Sequence, residues 1–491
     1  MLGDSTAKVL FLNPAFYGVK NFCRSARWFA VSRGRVQRHP DYLLTAVAVL
    51  ESSGHKVKFI DAACLETPFY KIKRITKKFK PQMIVVTVTT PSIYNDIRQA
   101  VELKNVSDAL VVLIGPHVSA LPIDSLKVDK NIDVVARGEY DYTLRDLADY
   151  IDGKKKLKNI LGITYRCGNK IKTNKDRPLI ENLDELPFPA WHHIRPEDYF
   201  DAGKLYPFLT LLAGRGCPHR CTFCVLPQTM YGRKYRMRTA ENVVDEIEYD
   251  LKLFPYLKEI MFEDDTLLAD QERCKEICKE IIRRGLNKKL SFSGNSRADV
   301  FNLKLFKLMK KANFRMLVVG FEFGDQKILN AVHKGELVKN MKKFAKLTKK
   351  AGLKIHGCFM IGGPGETEET AMKTIKLARE LGCDTLQFSA LVPYPGTEFY
   401  EWCKKNNFII AKNWTEWVDA GEQSTVISYP QLPKEKILEL VDKGLYESFY
   451  FRPDVWLHHI ITIRDFSDFR RKFKGFLHLL DYKIKKMKGF I

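Results

Sequence analysis

Short β-branched runs alternate with longer helical stretches twice along this 491-residue chain, and a proline-rich break separates the two series. In the first series the strand candidates are Val9–Asn13, Val57–Asp61, Met83–Thr89, Leu110–Ile114 and Asp133–Val135. Strands spaced by helices pair in parallel and are covered on both faces, so residues 1–150 are predicted to form a parallel α/β domain. Polar or turn residues follow the strands: Asn13-Pro14, Asp61-Ala62-Ala63, Thr89-Thr90-Pro91-Ser92, Gly115-Pro116-His117 and Arg137-Gly138-Glu139. Open α/β sheets bind ligands at that edge. Ile160–Ile180 reads as a hairpin turning at Gly168-Asn169, and Leu186-Pro187-Phe188-Pro189-Ala190-Trp191 marks a boundary, so residues 151–200 are predicted to be hairpin and linker.

The alternation restarts with strands predicted at Leu209–Ala213, Glu259–Glu263, Leu290–Gly294, Met316–Phe321, Ile355–Ile361 and Thr385–Leu391. Amphipathic helices such as Ala240–Leu253 and Glu366–Leu381 separate them. Six βα units predict a partial (β/α)6 barrel of TIM type over residues 201–410, with its chemistry at the C-terminal mouth of the strands. Residues 411–491 read as a helical, aromatic and basic C-terminal region.

Composition narrows the class. Hydrophobic residues make up 45% of the chain, too many for a disordered protein. The longest apolar runs are strand-length, well short of the ~20 residues a membrane-spanning helix needs. Met-Leu-Gly-Asp-Ser at the start carries no basic stretch leading into an apolar core, so no secretory signal is expected. Eleven cysteines over so long a chain make a poor disulfide framework and a good supply of thiolate ligands, which predicts a reducing, cytoplasmic location. Lys and Arg number 81 against 58 Asp and Glu, a net charge of +23 that favours anionic partners.

The densest chemistry follows the first strand of the second series, in Gly214-Arg215-Gly216-Cys217-Pro218-His219-Arg220-Cys221-Thr222-Phe223-Cys224. Three thiolates on a Gly- and Pro-bearing loop can each take one corner of a cubic iron–sulfur cluster and leave the fourth iron open. Structural zinc is the rival reading, but it wants four ligands, and no second Cys pair at zinc spacing follows. His219, inside the loop, is expected to face solvent.

This Cys-x3-Cys-x2-Cys loop, with Phe223 before the last cysteine, resembles the radical S-adenosylmethionine (SAM) superfamily. Later strand ends carry the likeness further: Phe262-Glu263-Asp264-Asp265-Thr266, Gly320-Phe321-Glu322-Phe323-Gly324, Gly362-Gly363-Pro364-Gly365-Glu366 and Pro393-Tyr394-Pro395-Gly396-Thr397. The last resembles the subgroup with an N-terminal, Rossmann-like cobalamin-binding domain. The resemblance implies a [4Fe-4S] cluster on Cys217, Cys221 and Cys224. It also implies SAM contacts from Phe223, Glu263, Asp264, Asp265, Asn295, Arg297, Glu322, Gly362, Gly363 and Glu366. Physically, glycines let backbone approach a nucleotide-like group, and strand-end carboxylates can hold an ammonium or ribose hydroxyls.

For cobalamin, the resemblance implies contacts from Asn13, Thr90, Ser92, Gly115, His117, Ser119, Gly138 and Glu139. The Asp-x-His-x-x-Gly segment that supplies an axial histidine in many cobalamin proteins is absent, replaced by Asn13-Pro14-Ala15-Phe16-Tyr17-Gly18, and His117 is expected to stabilise its loop. Within the subgroup the likeness is closest to hopanoid-biosynthesis proteins that build a cyclitol head group, through Arg24–Gln37, Thr90-Pro91-Ser92 with Asn95-Asp96, and Gly214–Thr229.

The expected activity is reductive SAM cleavage to a 5′-deoxyadenosyl radical that acts on an unactivated carbon, in methyl transfer or in cyclisation or rearrangement, with a reductase or ferredoxin- or flavodoxin-type electron donor. A non-catalytic iron–sulfur or cobalamin sensor is the alternative, but it leaves the barrel-mouth glycines and carboxylates without a role. Only Cys23 and Cys64 precede Tyr150, which argues against a methylthiotransferase. Cys274 and Cys278 share a helix face with Ile277 and Ile281 and read as packing thiols. The tail carries Arg470, Arg471, Lys472, Lys474, Lys483, Lys485, Lys486 and Lys488 among aromatic and aliphatic residues. It fits an anionic membrane surface or a helix packed on the barrel. No nucleic-acid module is present.

Overall fold

The computed structural model describes residues 6–24, 29–31, 34–419, 422–450, 463 and 466–487. Lys488 and Phe490 of the tail, and residues 25–28 and 32–33 of the loop after the first strand, lie outside them.

The first sheet contains five parallel strands: β1 (Lys8–Asn13), β2 (Lys56–Asp61), β3 (Met83–Thr87), β4 (Leu110–Ile114) and β5 (Val134–Ala136). Their spatial order is β2-β1-β3-β4-β5. Strands such as Met-Ile-Val-Val-Thr are buried on both faces, which is why they lack polar alternation. Helices Asp41–Ser52 and Asp141–Ile151 cover one face and Ile93–Lys104 the other. The predicted hairpin forms from β6 (Ile163–Cys167) and β7 (Lys170–Thr173). It does not stand apart as linker, because β6 pairs antiparallel with β5 and extends the first sheet.

The second sheet runs in chain order through β8 (Phe208–Leu211), β9 (Glu259–Phe262), β10 (Ser291–Arg297), β11 (Phe314–Glu322), β12 (Lys354–Ile361) and β13 (Thr385–Ala390), all parallel. Among the described residues β8 and β13 do not pair, so the barrel is partial. Its N-terminal end is plugged by a buried polar chain: Lys204 Nζ donates to Ser293 Oγ (3.2 Å), Ser293 Oγ to Glu259 (2.5 Å), and Arg315 Nε to the same carboxylate (2.8 Å). Several boundaries move by one to three residues from their predicted places, two of them for a visible reason. β10 runs on to include Asn295 and Arg297, because both are drawn inward by polar partners rather than released to a turn. The helix predicted from Glu366 starts at Glu368, capped by Thr367, because Glu366 is spent on the turn before it.

A single apolar core passes from the Asp41–Ser52 helix through Trp191 into the barrel strands, so the proline-rich boundary is packed rather than loose. Beside it lies a buried ion cluster. Arg215, two residues before the first cluster cysteine, reaches Glu139 (2.8 Å) and Asp141 (2.8 Å) in the first domain, and Arg236 reaches the other Glu139 oxygen (2.7 Å). Burial works to raise the Glu139 pKa, but the two guanidinium groups outweigh it and hold the carboxyl below its usual range. Arg215 also lies over the rings of Tyr42 and Tyr231. Replacing Glu139 with Ala leaves two buried cations without their shared partner. The expected loss is about 3–5 kcal/mol, read as a lowered unfolding midpoint in the cofactor-free chain; an unchanged midpoint would contradict it.

Candidate active site

Cys217, Cys221 and Cys224 project from the loop that follows β8, at the C-terminal mouth of the barrel. The first two are buried and the third half-buried. No helix or strand holds them, so the loop is fixed by hydrogen bonds from elsewhere. Gly216 enters it in the left-handed region (φ 86°), where a side chain would be strained and would also collide with the Lys234 carbonyl. Cys217 N donates to Gly232 O (3.3 Å), and Thr222 N to Val332 O (3.0 Å). Gln228 Nε2 donates to the carbonyls of Thr222 (3.1 Å) and Cys224 (2.8 Å). Phe399 N, beyond the Pro393–Thr397 motif, also donates to Thr222 O (3.1 Å). His219 is half-buried, not fully solvent-facing; burial pushes its pKa down to about 4 and leaves it neutral.

These features fit a cluster better than a single ion. Three thiolates on one loop match the protein ligands of a cluster with one open iron, whereas structural zinc takes four ligands. Thr222 Oγ1, between two of the cysteines, is buried without a hydrogen-bond partner.

Behind the loop stand buried charges. Arg297, on β10, places Nη1 3.8 Å from Cys221 Sγ and donates through Nη2 to Lys334 O (2.6 Å). Lys334 Nζ lies 3.2 Å from Glu322 Oε1 and 3.9 Å from Glu336 Oε1, and Arg297 lies 3.3 Å from Glu336. Burial opposes the charge on Lys334, but Glu336 and Glu322 outweigh it and hold the amine above the usual lysine range. Glu322 has a left-handed backbone (φ 64°) at a register shift in β11, so the bulge aims its side chain inward. Its Oε2 is buried and unbonded. An oxygen so placed can accept from an ammonium or a ribose hydroxyl.

Of the other residues expected to contact SAM, Asp264 receives Ala213 N (3.0 Å) and the Tyr235 hydroxyl (2.9 Å), and its carbonyl receives Asn295 Nδ2 (3.0 Å). It thereby ties β8 to β9 at the mouth. Glu263 and Asp265 flank it half-buried, and Phe223 packs partly against the core. Glu366 accepts from Gly362 N and Gly363 N and shapes the glycine turn after β12; burial pushes its pKa up to about 8. Lys334, Glu336 and Gln228 were not legible as site residues. The signal for the first two was a buried-charge run, Lys334-Gly335-Glu336, after the fourth barrel strand.

The residues expected to bind cobalamin line the C-terminal edge of the first sheet, around the β1/β3 switch point where such sheets take ligands. Asn13 donates to Asp61 (2.8 Å), His117 Nδ1 pairs with Thr90 Oγ1 (3.1 Å), and Ser92 donates to Asp96 (2.6 Å), which is bound by Arg24 (2.6 Å). Burial pushes His117 down to about 3, so it is neutral, and Trp414 packs against its ring. Gly115 (φ 120°) passes so close to β3 that a Cβ would come 2.6 Å from Val88 O. Ser119 receives Gly138 N (3.0 Å) and touches Met230 Sδ (3.3 Å), while Glu139 is committed to the ion cluster. Asn13 Oδ1 and Thr87 Oγ1 remain buried and unbonded along this edge, which suits a ligand rich in amides such as cobalamin.

A barrel with an open three-thiolate site, faced by a parallel sheet with a polar switch-point edge, defines a cluster- and nucleotide-using enzyme with a second cofactor domain. Residues 211–394 match the radical SAM superfamily model and residues 36–148 the B12 binding domain model. The chain is 33% identical over 442 residues, 90% of its length and 94% of the relative's, to the uncharacterized methyltransferase PH0819 of Pyrococcus horikoshii. It is 27% identical to the anaerobic magnesium-protoporphyrin IX monomethyl ester cyclase of Rubrivivax gelatinosus, covering 74% of this chain and 66% of that one. Its fold is similar to that of the radical SAM methyltransferase TsrM from Kitasatospora setae, with a TM-score of 0.68, 18% identity and coverage of 93% and 90%. The chain belongs to the radical SAM enzymes that carry a B12 binding domain, and the TsrM structure of similar fold holds cobalamin and a [4Fe-4S] cluster.

A methyl group at Gly320 would collide with the Glu322 carboxylate and come within 3.2 Å of Lys334 Nζ. Gly320→Ala is therefore expected to weaken SAM binding about tenfold or more while leaving iron content unchanged, since no cysteine moves. Equilibrium binding on the reconstituted protein checks this, and parent-like affinity would contradict it.

Proposed function

We propose that the chain transfers a methyl group from SAM, by way of cobalamin, to an unactivated carbon of a lipid head group, in the cytoplasm and at the membrane surface, with electrons from a reductase or a ferredoxin- or flavodoxin-type donor. When bound, the three cofactors supply reductive SAM cleavage and methyl delivery. The chain's own part is to hold them in register. The three cysteines take the cluster and leave one iron open, Arg297 and Lys334 set positive charge behind it, and Glu322 offers its unbonded oxygen to SAM. The glycines after β12 let backbone approach the adenosine. The first-sheet edge holds cobalamin.

The observation that carries this reading is the direct seam between the two cofactor sites. Ser119, at the cobalamin edge, touches Met230, six residues beyond Cys224. Gly396 sits where a Cβ would come 2.6 Å from Thr229 and 2.7 Å from Ala120, so the sixth-strand motif, the cysteine loop and the first domain meet without a spacer. A first-sheet edge packed directly against the cysteine loop would hold the two cofactors close together when bound, which suits methyl transfer. The full-length likeness to a methyltransferase supports the same reading. Cyclisation or rearrangement is the second reading, favoured by the shorter likeness to the cyclase.

Incubating the reconstituted, reduced enzyme with methyl-labelled SAM separates them. Methyl transfer predicts S-adenosylhomocysteine among the products and label in the corrinoid fraction. Label confined to methionine, with 5′-deoxyadenosine as the sole nucleoside product, would contradict it.

A further inference from the structure

We infer that the helix Phe466–Met487 is a docking surface for an anionic lipid bilayer, held on the molecule with its apolar face outward. At about 100° per residue, Phe466, Phe469, Phe473, Phe476, Leu480 and Ile484 fall within one arc of roughly 100°. Such a stripe normally packs on a core. Here each of these side chains is exposed, from 38% at Ile484 to 78% at Phe466. Three successive phenylalanine pairs line up along it, with ring centroids 5.8–6.5 Å apart. The helix meets the protein by its other side. Gly475 is buried so close to Ala202 that a Cβ would come 2.9 Å from it, and Lys474 Nζ lies 4.5 Å above the Phe200 ring. Leu477 on the same helix is exposed as well, and elsewhere among the described residues the exposed large apolar side chains fall no more than two to an element.

Charge selects the occupant. The helix carries seven Lys and Arg against two Asp. By helical position Arg470 borders one flank of the stripe, and Lys472 and Lys483 the other. Two copies pairing through this face would bring like charges together, whereas a bilayer offers an apolar interior beneath an anionic surface. Among the described residues no helix is long and apolar enough to cross a membrane, so the contact lies in the plane of the interface. The inference deepens the lipid part of the proposed function but rests on the helix, not on the chemistry.

The test uses the full-length, cofactor-loaded protein in vesicle sedimentation. Binding to phosphatidylglycerol-containing vesicles at low salt is expected to exceed binding to pure phosphatidylcholine by about tenfold or more, and to fall about tenfold in high salt. The double variant Phe469→Ser with Phe473→Ser is expected to bind about tenfold or more weakly while cleaving SAM like the parent in the absence of vesicles. Failure of the parent to sediment with anionic vesicles would overturn the inference without reference to any variant. So would equal binding to neutral vesicles, parent-like binding by the double variant, or a vesicle-independent oligomer that the double variant dissolves, which would assign the stripe to a protein partner. If no protein cleaves SAM yet the parent binds vesicles as expected, the enzymatic reading fails and the docking surface stands.

Discussion

Three thiolates on one short loop must stand far enough apart to share a cluster, and no regular element can present them that way. The loop therefore borrows its shape from its neighbours. Val332 after β11, Gly232 and Gln228 downstream, and Phe399 beyond β13 each bond its backbone. The barrel brings these segments to one place because all six strands are parallel and end at the same mouth. Loops from the fourth and sixth units thus secure a loop on the first, which ties the site's geometry to the curl of the whole open sheet rather than to the motif alone.

Electrostatics completes the frame. Buried ions are expensive unless paired, and removing one partner from such a pair is strongly destabilising. Arg297, Lys334, Glu322 and Glu336 pay for their burial mutually, through contacts of 3.2–3.9 Å between side chains. The two cations stand beside Cys221, where thiolate ligands bring negative charge, and hydrogen bonds and charges around cluster sulfurs are the protein's means of setting their properties. A second cluster, Arg215 and Arg236 with Glu139 and Asp141, locks the approach to the cysteine loop onto the first domain. The cofactor domains are joined by the segment that carries the cysteines.

The sequence was most informative where a period or a close-spaced motif exists. The βα alternation placed each of the eleven parallel strands to within a few residues, because two-sided burial leaves an unbroken apolar run. The cysteine loop was legible for its spacing. Lys334 and Glu336 were not, since they act across a turn and their partners, Glu322 and Arg297, come from different strands. Glu139 illustrates a different limit: a strand-end carboxylate in Arg137-Gly138-Glu139 looks the same whether it faces a ligand or, as here, a guanidinium from the next domain. The hairpin was visible, but its docking onto β5 is a long-range pairing that local pattern does not encode.

The central claim is that Cys217, Cys221 and Cys224 hold a [4Fe-4S] cluster with one iron open to SAM. Electron paramagnetic resonance of the anaerobically reconstituted, reduced protein tests it most directly. The account predicts about four irons per chain and a cluster signal that changes when SAM is added. A single zinc per chain, or a cluster signal indifferent to SAM, would contradict it.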